Sequence, residues 1–203
     1  MAADSIRAKP VWHAQEVHDA HALAIGRIVI AWNEFQEALG ELFASIFGRK
    51  LWKESLFARQ ALENDRAQRE MLRAAAHTRF GPTSDVFKKI SWAIEQANRQ
   101  LSNQRNFGVH TPLMIFTDHD GETGIYPNQM LGNRKAAGLA GKDLLCEFDR
   151  YEKRIRKMTT FVLAIGIHVL DPSEHPTLPE KPQLQSHPPS LSRKTQHRQE
   201  SPK

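Results

Sequence analysis

The stretch Ile25-Gly26-Arg27-Ile28-Val29-Ile30-Ala31-Trp32-Asn33-Glu34-Phe35-Gln36-Glu37-Ala38-Leu39-Gly40-Glu41-Leu42-Phe43-Ala44-Ser45-Ile46 decides the fold class. Ile25, Ile28, Trp32, Phe35, Leu39, Leu42 and Ile46 recur at intervals of three and four, so they share one side of an α-helix in a near-heptad seam. Arg27, Glu34, Glu37 and Glu41 keep another side polar, and Val29 and Ile30 widen the apolar surface beyond one seam. The pattern predicts a helix over 15–47, stopped by Gly48. Phe148, Tyr151, Ile155, Met158, Val162, Ile165 and Val169 repeat the pattern and predict a last helix over 142–170, ended by Asp171-Pro172.

Between these two, a shorter helix is expected over 51–60. Another begins at Asp65, where Asp65 and Gln68 suit a capping box, and ends before Gly81-Pro82. Thr83, Ser84 and Asp85 are N-cap candidates for a further helix striped by Phe87, Ile90, Ile94, Ala97 and Leu101. Leu113-Met114-Ile115-Phe116 and Ile125-Tyr126 flank the acidic Asp118-His119-Asp120-Gly121-Glu122 and predict a β-hairpin. That turn is no calcium loop: its glycine follows the second acid, and no glutamate closes it at the required distance. Residues 129–141 read as a loop with one short helical turn. The expected fold is all-α: a four-main-helix up-and-down bundle over 1–170, with a short β-hairpin insertion at 112–141 before the last helix. Residues 171–203 are proline-rich and basic with few large apolar side chains, a composition that predicts a disordered tail.

At 203 residues and a formal charge of +5, the chain suits one domain with tails and an acidic partner such as RNA, a balance many soluble proteins share. The lone Cys146 excludes an intrachain disulfide and, between Leu145 and Glu147, reads as a small core residue. No apolar leader opens the sequence, and the apolar run 161–170 is too short to span a bilayer, so a cytoplasmic protein with no membrane association is expected.

The segment richest in chemistry is Arg105-Asn106-Phe107-Gly108-Val109-His110, followed by Thr111-Pro112. Arg105 is the next step on the stripe after Leu101, which points it toward the packed side, where a charge needs a partner, a cleft or a ligand. The plain alternative is an arginine at a frayed helix end, paired with a carboxylate. On an uninterrupted helix Arg105 and His110 stand about 140° apart. A chain leaving the helix near Gly108 would free His110 to fold back toward Arg105, and a cation beside a group titrating near neutrality suits phosphoryl chemistry. Arg7 and His13 share a similar spacing, but Pro10 interrupts that stretch.

The string resembles the signature of the HEPN superfamily: an Arg, a polar residue that is often Asn, and a His four to six residues after the Arg. The resemblance extends over roughly residues 15–170, with Trp32-Asn33-Glu34 on a long first helix, the motif closing a later helix, and a long last helix. Gly108 and the long segment after the motif depart from the pattern. The resemblance implies a compact helical bundle, usually a homodimer. It implies a metal-independent ribonuclease or a non-catalytic relative, with Arg105, Asn106 and His110 as active-site residues and, for toxin-like members, an antitoxin partner.

Several other residues carry two readings. Glu34 could orient Arg105 or face solvent, and Trp32 reads as core. Arg150, Lys153, Arg154 and Lys157 form a basic stripe that suits either RNA phosphates or a solvated face laced with Glu147, Asp149 and Glu152. His13, His18 and His21 lie near Glu16 and Asp19 but match no metal-ligand spacing and read as exposed helix-start histidines. Phosphate-binding glycine loops, dinucleotide fingerprints and nucleophile elbows are missing from the sequence, so no cofactor or metal is expected.

The leading expectation is a toxin-like, metal-independent endoribonuclease. His110 would move a proton at the ribose 2′-hydroxyl, Arg105 would stabilise charge on the phosphate, and Asn106 would orient either group. The alternatives are a non-catalytic helical dimeric module that binds RNA, nucleotide or a protein partner through the same cleft, and a structural dimer whose Arg105 and His110 satisfy a polar seam.

Overall fold

The computed structural model describes residues 11–117, 123–128 and 134–184. Its element order is α1 (Val11–Phe47), a 3-10 turn, α2 (Trp52–Gln60), α3 (Asp65–Phe80), α4 (Asp85–Gln96), one π-helical turn (Ala97–Leu101), α5 (Ser102–His110), β1 (Leu113–Thr117), β2 (Thr123–Pro127), α6 (Arg134–Leu139) and α7 (Leu144–Leu170). The fold is all-α with a two-stranded antiparallel hairpin before the last helix. The acidic turn of the hairpin lies outside the described residues.

The spine is α1 packed along α7. The expected seam residues Ile28, Trp32, Phe35, Leu39, Leu42 and Ile46 are buried against Phe148, Tyr151, Ile155, Met158, Val162 and Ile165 in one core. A Cβ on Gly166 would meet Ser45 Oγ at 3.5 Å and Leu42 Cα at 3.7 Å, so the two backbones approach closely there. Helix α3 packs on α1 and α4, α4 on α7, and α5 on α1, which closes the bundle around Leu72, Ile90, Ile94 and Leu101.

The helix ends follow local chemistry. Asn64, not Asp65, caps α3: its side chain accepts from the amides of Arg66 (2.7 Å) and Ala67 (3.4 Å). Gln68 donates instead to the Leu62 carbonyl. Of the three candidates before α4, Ser84 is the cap and accepts from Phe87 N. Asp143 caps α7 by accepting from Cys146 N. Cys146 is exposed rather than core, because the buried side of that turn is made by Leu144, Glu147 and Phe148. The expected loop after the hairpin contains a six-residue helix, α6, which buries Ala136 and Leu139.

Ile115 pairs with Ile125 and Met114 with Tyr126 across the hairpin, and Ile125 is its buried anchor on the bundle. The Asn128 amide donates to the Pro112 carbonyl at 2.7 Å and closes the open end.

Residues 171–184 differ from the disordered tail expected over 171–203; residues 185–203 lie outside the described part. Asp171 accepts from the Ser173 hydroxyl and the Glu174 amide, which turns the chain back. Leu184 packs against the core, and Lys181 Nζ lies 5.4 Å from the Trp92 ring centroid. Pro179 and Pro182 border a groove with Phe161. Prolines have little backbone freedom to lose, so a few such contacts suffice to hold the strap on the bundle.

Candidate functional site

The motif sits at the end of a long helical segment interrupted by one π turn. Helix α4 runs through the π turn into α5 without leaving helical dihedrals, since Gln96, Ala97, Leu101 and Ser102 are all right-handed helical. Helix α5 then continues to His110, and Thr111 is the first extended residue, at φ −81° and ψ 120°. The stop expected near Gly108 is absent: among the described residues the glycines with positive φ are Gly48, Gly81 and Gly141. Gly108 serves packing instead, because a Cβ there would lie 3.0 Å from Ile28 Cδ1.

This changes the geometry of the motif. With the helix intact to its last residue, Arg105 and His110 project about 140° apart and about 7.5 Å apart along the axis. One chain therefore does not bring the pair together. The buried face of α5 is continued by Gln104 and Gly108, and Arg105 flanks it, half-buried. Arg105 Nη1 donates to Asn106 Oδ1 at 2.9 Å, which fixes the guanidinium beside the amide. His110 and Val109 are exposed at the helix end. Phe107 faces α6, where a Cβ on Gly138 would approach its ring to 3.2 Å.

Among the described residues, three buried polar atoms around the motif have no hydrogen-bond partner: Gln104 Oε1, Arg105 Nε and Thr111 Oγ1. Gln104 and Thr111 are each only 7% exposed. Buried polar groups are normally paired, and these three lie within eight residues of one another.

Glu34 and, in the basic stripe of α7, Arg150 and Lys153 have partners of their own. Glu34 does not hold Arg105; it pairs with Arg156, whose Nη1 lies 2.7 Å from Glu34 Oε2 on the α1–α7 surface. The stripe Arg150, Lys153, Arg154 and Lys157 is not one solvated face. Lys153 pairs with Asp149 at 2.7 Å, and Arg150 pairs with the buried Glu147 at 2.8 Å. Arg154 is only 4% exposed, and burial together with Arg150 lowers its pKa from the usual value. Lys157 is exposed and borders the groove under the proline strap.

His18 is exposed beside Asp19, and His21 is buried, its Nδ1 2.8 Å from the Val17 carbonyl. His21 thus differs from the exposed helix-start histidine expected. The side chain of His13 lies outside the described residues. Among the described residues no group of His, Cys, Asp and Glu is arranged to hold a metal ion, and no helix is long and apolar enough to cross a membrane. The Cys146 thiol pKa is raised, chiefly by the charge and hydrogen bonding of Asp143, which suppresses its thiolate.

A second polar site lies on another face of the bundle. A cleft of about 780 Å³ opens between α3 and the α4–π-turn segment. Arg66, Arg69 and Arg73 line it from α3, and Arg99 from the π turn. The spacing 66, 69, 73 is one helix face, so the sequence held a signal of the same kind as the stripe on α7. The second wall, set by the π turn, has no comparable signature.

No family model, curated protein or solved structure matches this chain. The functional reading therefore stands on the motif and its geometry.

Proposed function

We propose that the protein is a metal-independent endoribonuclease of HEPN type that acts as a homodimer, with each site shared between two copies. The observation that carries this reading is the set of unpartnered buried polar atoms on Gln104, Arg105 and Thr111 beside the Arg105–Asn106 pair. A neighbouring copy or an RNA strand laid on this end of α5 would supply the missing partners. The helical separation of Arg105 and His110 gives the second copy its role: one chain offers the guanidinium, and the other offers the imidazole across a two-fold axis.

The chemistry needs little else. RNA carries its own nucleophile, the 2′-hydroxyl. His110, exposed at the helix end, takes or returns the proton. Arg105, fixed by Asn106, faces the phosphate on which charge develops. The products are a 2′,3′-cyclic phosphate and a 5′-hydroxyl end.

The test is cleavage of single-stranded RNA by purified protein in EDTA. His110→Ala is expected to lose about 10²–10⁴-fold in rate. Arg105→Lys is expected to fail as well, since a point charge cannot form a bidentate fork on phosphate. Inactive Arg105→Ala and His110→Ala proteins should complement each other on mixing, each heterodimer regaining one intact site. Intact RNA with wild-type protein, or full activity in His110→Ala, overturns the catalytic reading.

One observation favours a second reading, in which the same surface binds RNA, nucleotide or a protein partner without cleaving. The motif pair does not converge within one chain, and a binding surface has no need for it to do so. An antitoxin is one such partner, on the resemblance alone.

A further inference from the structure

We infer that the cleft between α3 and the π turn binds the terminal phosphate of a small phosphorylated ligand. The argument begins with Arg69. Its side chain is in a residue only 4% exposed, and its guanidinium carbon lies 5.7 Å from the centroid of the Trp32 ring. Arg69 Nε donates to Asn98 Oδ1 at 2.8 Å. Its Nη1 is buried and has no acceptor, and among the described residues no carboxylate forms an ion pair with it. Burial lowers the Arg69 pKa, partly offset by Asp65 and Glu70. A buried charge that lies over an aromatic ring, lines the cleft and leaves Nη1 unused is prepared for an oxyanion.

The rest of the cleft agrees. Arg73 Nε and Ser91 Oγ are also buried without partners, so donors from both walls have open valences. Glu70 and Glu95 line the cleft, but they are engaged with Arg73 (3.2 Å) and Arg99 (2.8 Å). Four arginines against two glutamates leave the lining at net +2, matched to a dianionic phosphate monoester rather than a singly charged diester. The π turn places this wall. It carries Asn98, which donates to Glu70 (3.4 Å) while accepting from Arg69. Single π turns inside helices frequently occur at functional sites. The site is separate from the motif and does not depend on the ribonuclease reading.

Titration of the full-length protein with pyrophosphate, at ionic strength held constant with sodium chloride, tests this. Tryptophan fluorescence and the thermal midpoint are the readouts, since a ligand of the folded state raises the midpoint. Saturable one-site binding is expected. Arg73→Gln should weaken it at least tenfold, and Arg69→Lys likewise, because it keeps the charge and loses the fork. Arg73 is partly exposed, so Arg73→Gln keeps the test valid if Arg69→Lys fails to fold, which circular dichroism reports. His110→Ala should bind as wild type, which separates this site from the motif. Three results overturn the inference: no saturation by millimolar pyrophosphate, unchanged affinity in Arg73→Gln, or tighter binding of a hydroxyl-ended oligoribonucleotide that Arg73→Gln abolishes. The last would make the cleft a strand-binding groove.

Discussion

Replacing Gly108 by alanine separates two explanations of the motif's central residue. A helix-terminating glycine gains from the change only if its φ permits alanine, and an exposed helical glycine gains about 1 kcal/mol from better helix propensity. Gly108 is helical and buried, and the new Cβ would stand 3.0 Å from Ile28 Cδ1 and 3.9 Å from its Cγ2. Ile28 is fully buried, and so has little room to retreat. Overpacking of this kind costs about 1–3 kcal/mol, so after the propensity gain Gly108→Ala should destabilise by up to about 2 kcal/mol. Ile28→Val removes the offending Cδ1 and alone costs about 0.5–1.5 kcal/mol. In that background the alanine should stabilise, leaving the double variant near wild type. The double-mutant cycle then shows a favourable coupling of about 1–3 kcal/mol. Urea denaturation with unchanged m-values supplies the four free energies. Additive effects, or a stabilising Gly108→Ala in wild type, would refute close packing at Gly108 and restore the helix-end explanation.

Truncation after residue 184 should leave the thermal midpoint unchanged, whereas truncation after residue 171 should lower it. Losing the partial burial of Leu184 and the cover over Phe161 and Trp92 is worth about 1–2 kcal/mol, or roughly 2–8 °C for a chain of this size; a change under 1 °C would mean that the strap contributes nothing. Cys146 should alkylate slowly at pH 8 despite its exposure, because Asp143 raises its pKa and so lowers the thiolate fraction. Asp143→Asn keeps an N-cap but removes the charge, so the rate at pH 8 should rise and the pH–rate profile should shift to lower pH; an unmoved profile sinks this account.

The helices were legible because their apolar residues recur at helical spacing, and burial rewards that spacing in any bundle. Leu39 and Ile155 could be placed in a core before any partner was known. Caps are legible to within a residue: Ser84 stands in a cluster of cap-forming residues, while Asn64 is masked by Asp65 and Gln68, which imitate a capping box one residue later. The motif residues stand out by type and spacing, but spacing does not say that the helix continues to His110. Gly108 looked like a stop, and only the proximity of Ile28, eighty positions earlier, shows that a small residue is needed there to let α5 lie on α1.

The sequence by itself determined the all-α class, the hairpin before the last helix, and the residues that carry candidate chemistry, because each rests on local periodicity or side-chain type. Tertiary structure alone decided which of them meet. It gave Glu34 to Arg156 rather than Arg105, buried Arg154 while leaving Cys146 exposed, and laid residues 171–184 back on the bundle. It also set Asn98 against Arg69 through a π turn that no spacing rule announces. Pairing across helices depends on the rotation and offset of whole elements, fixed by the sum of many packing contacts. No local window of sequence contains that sum.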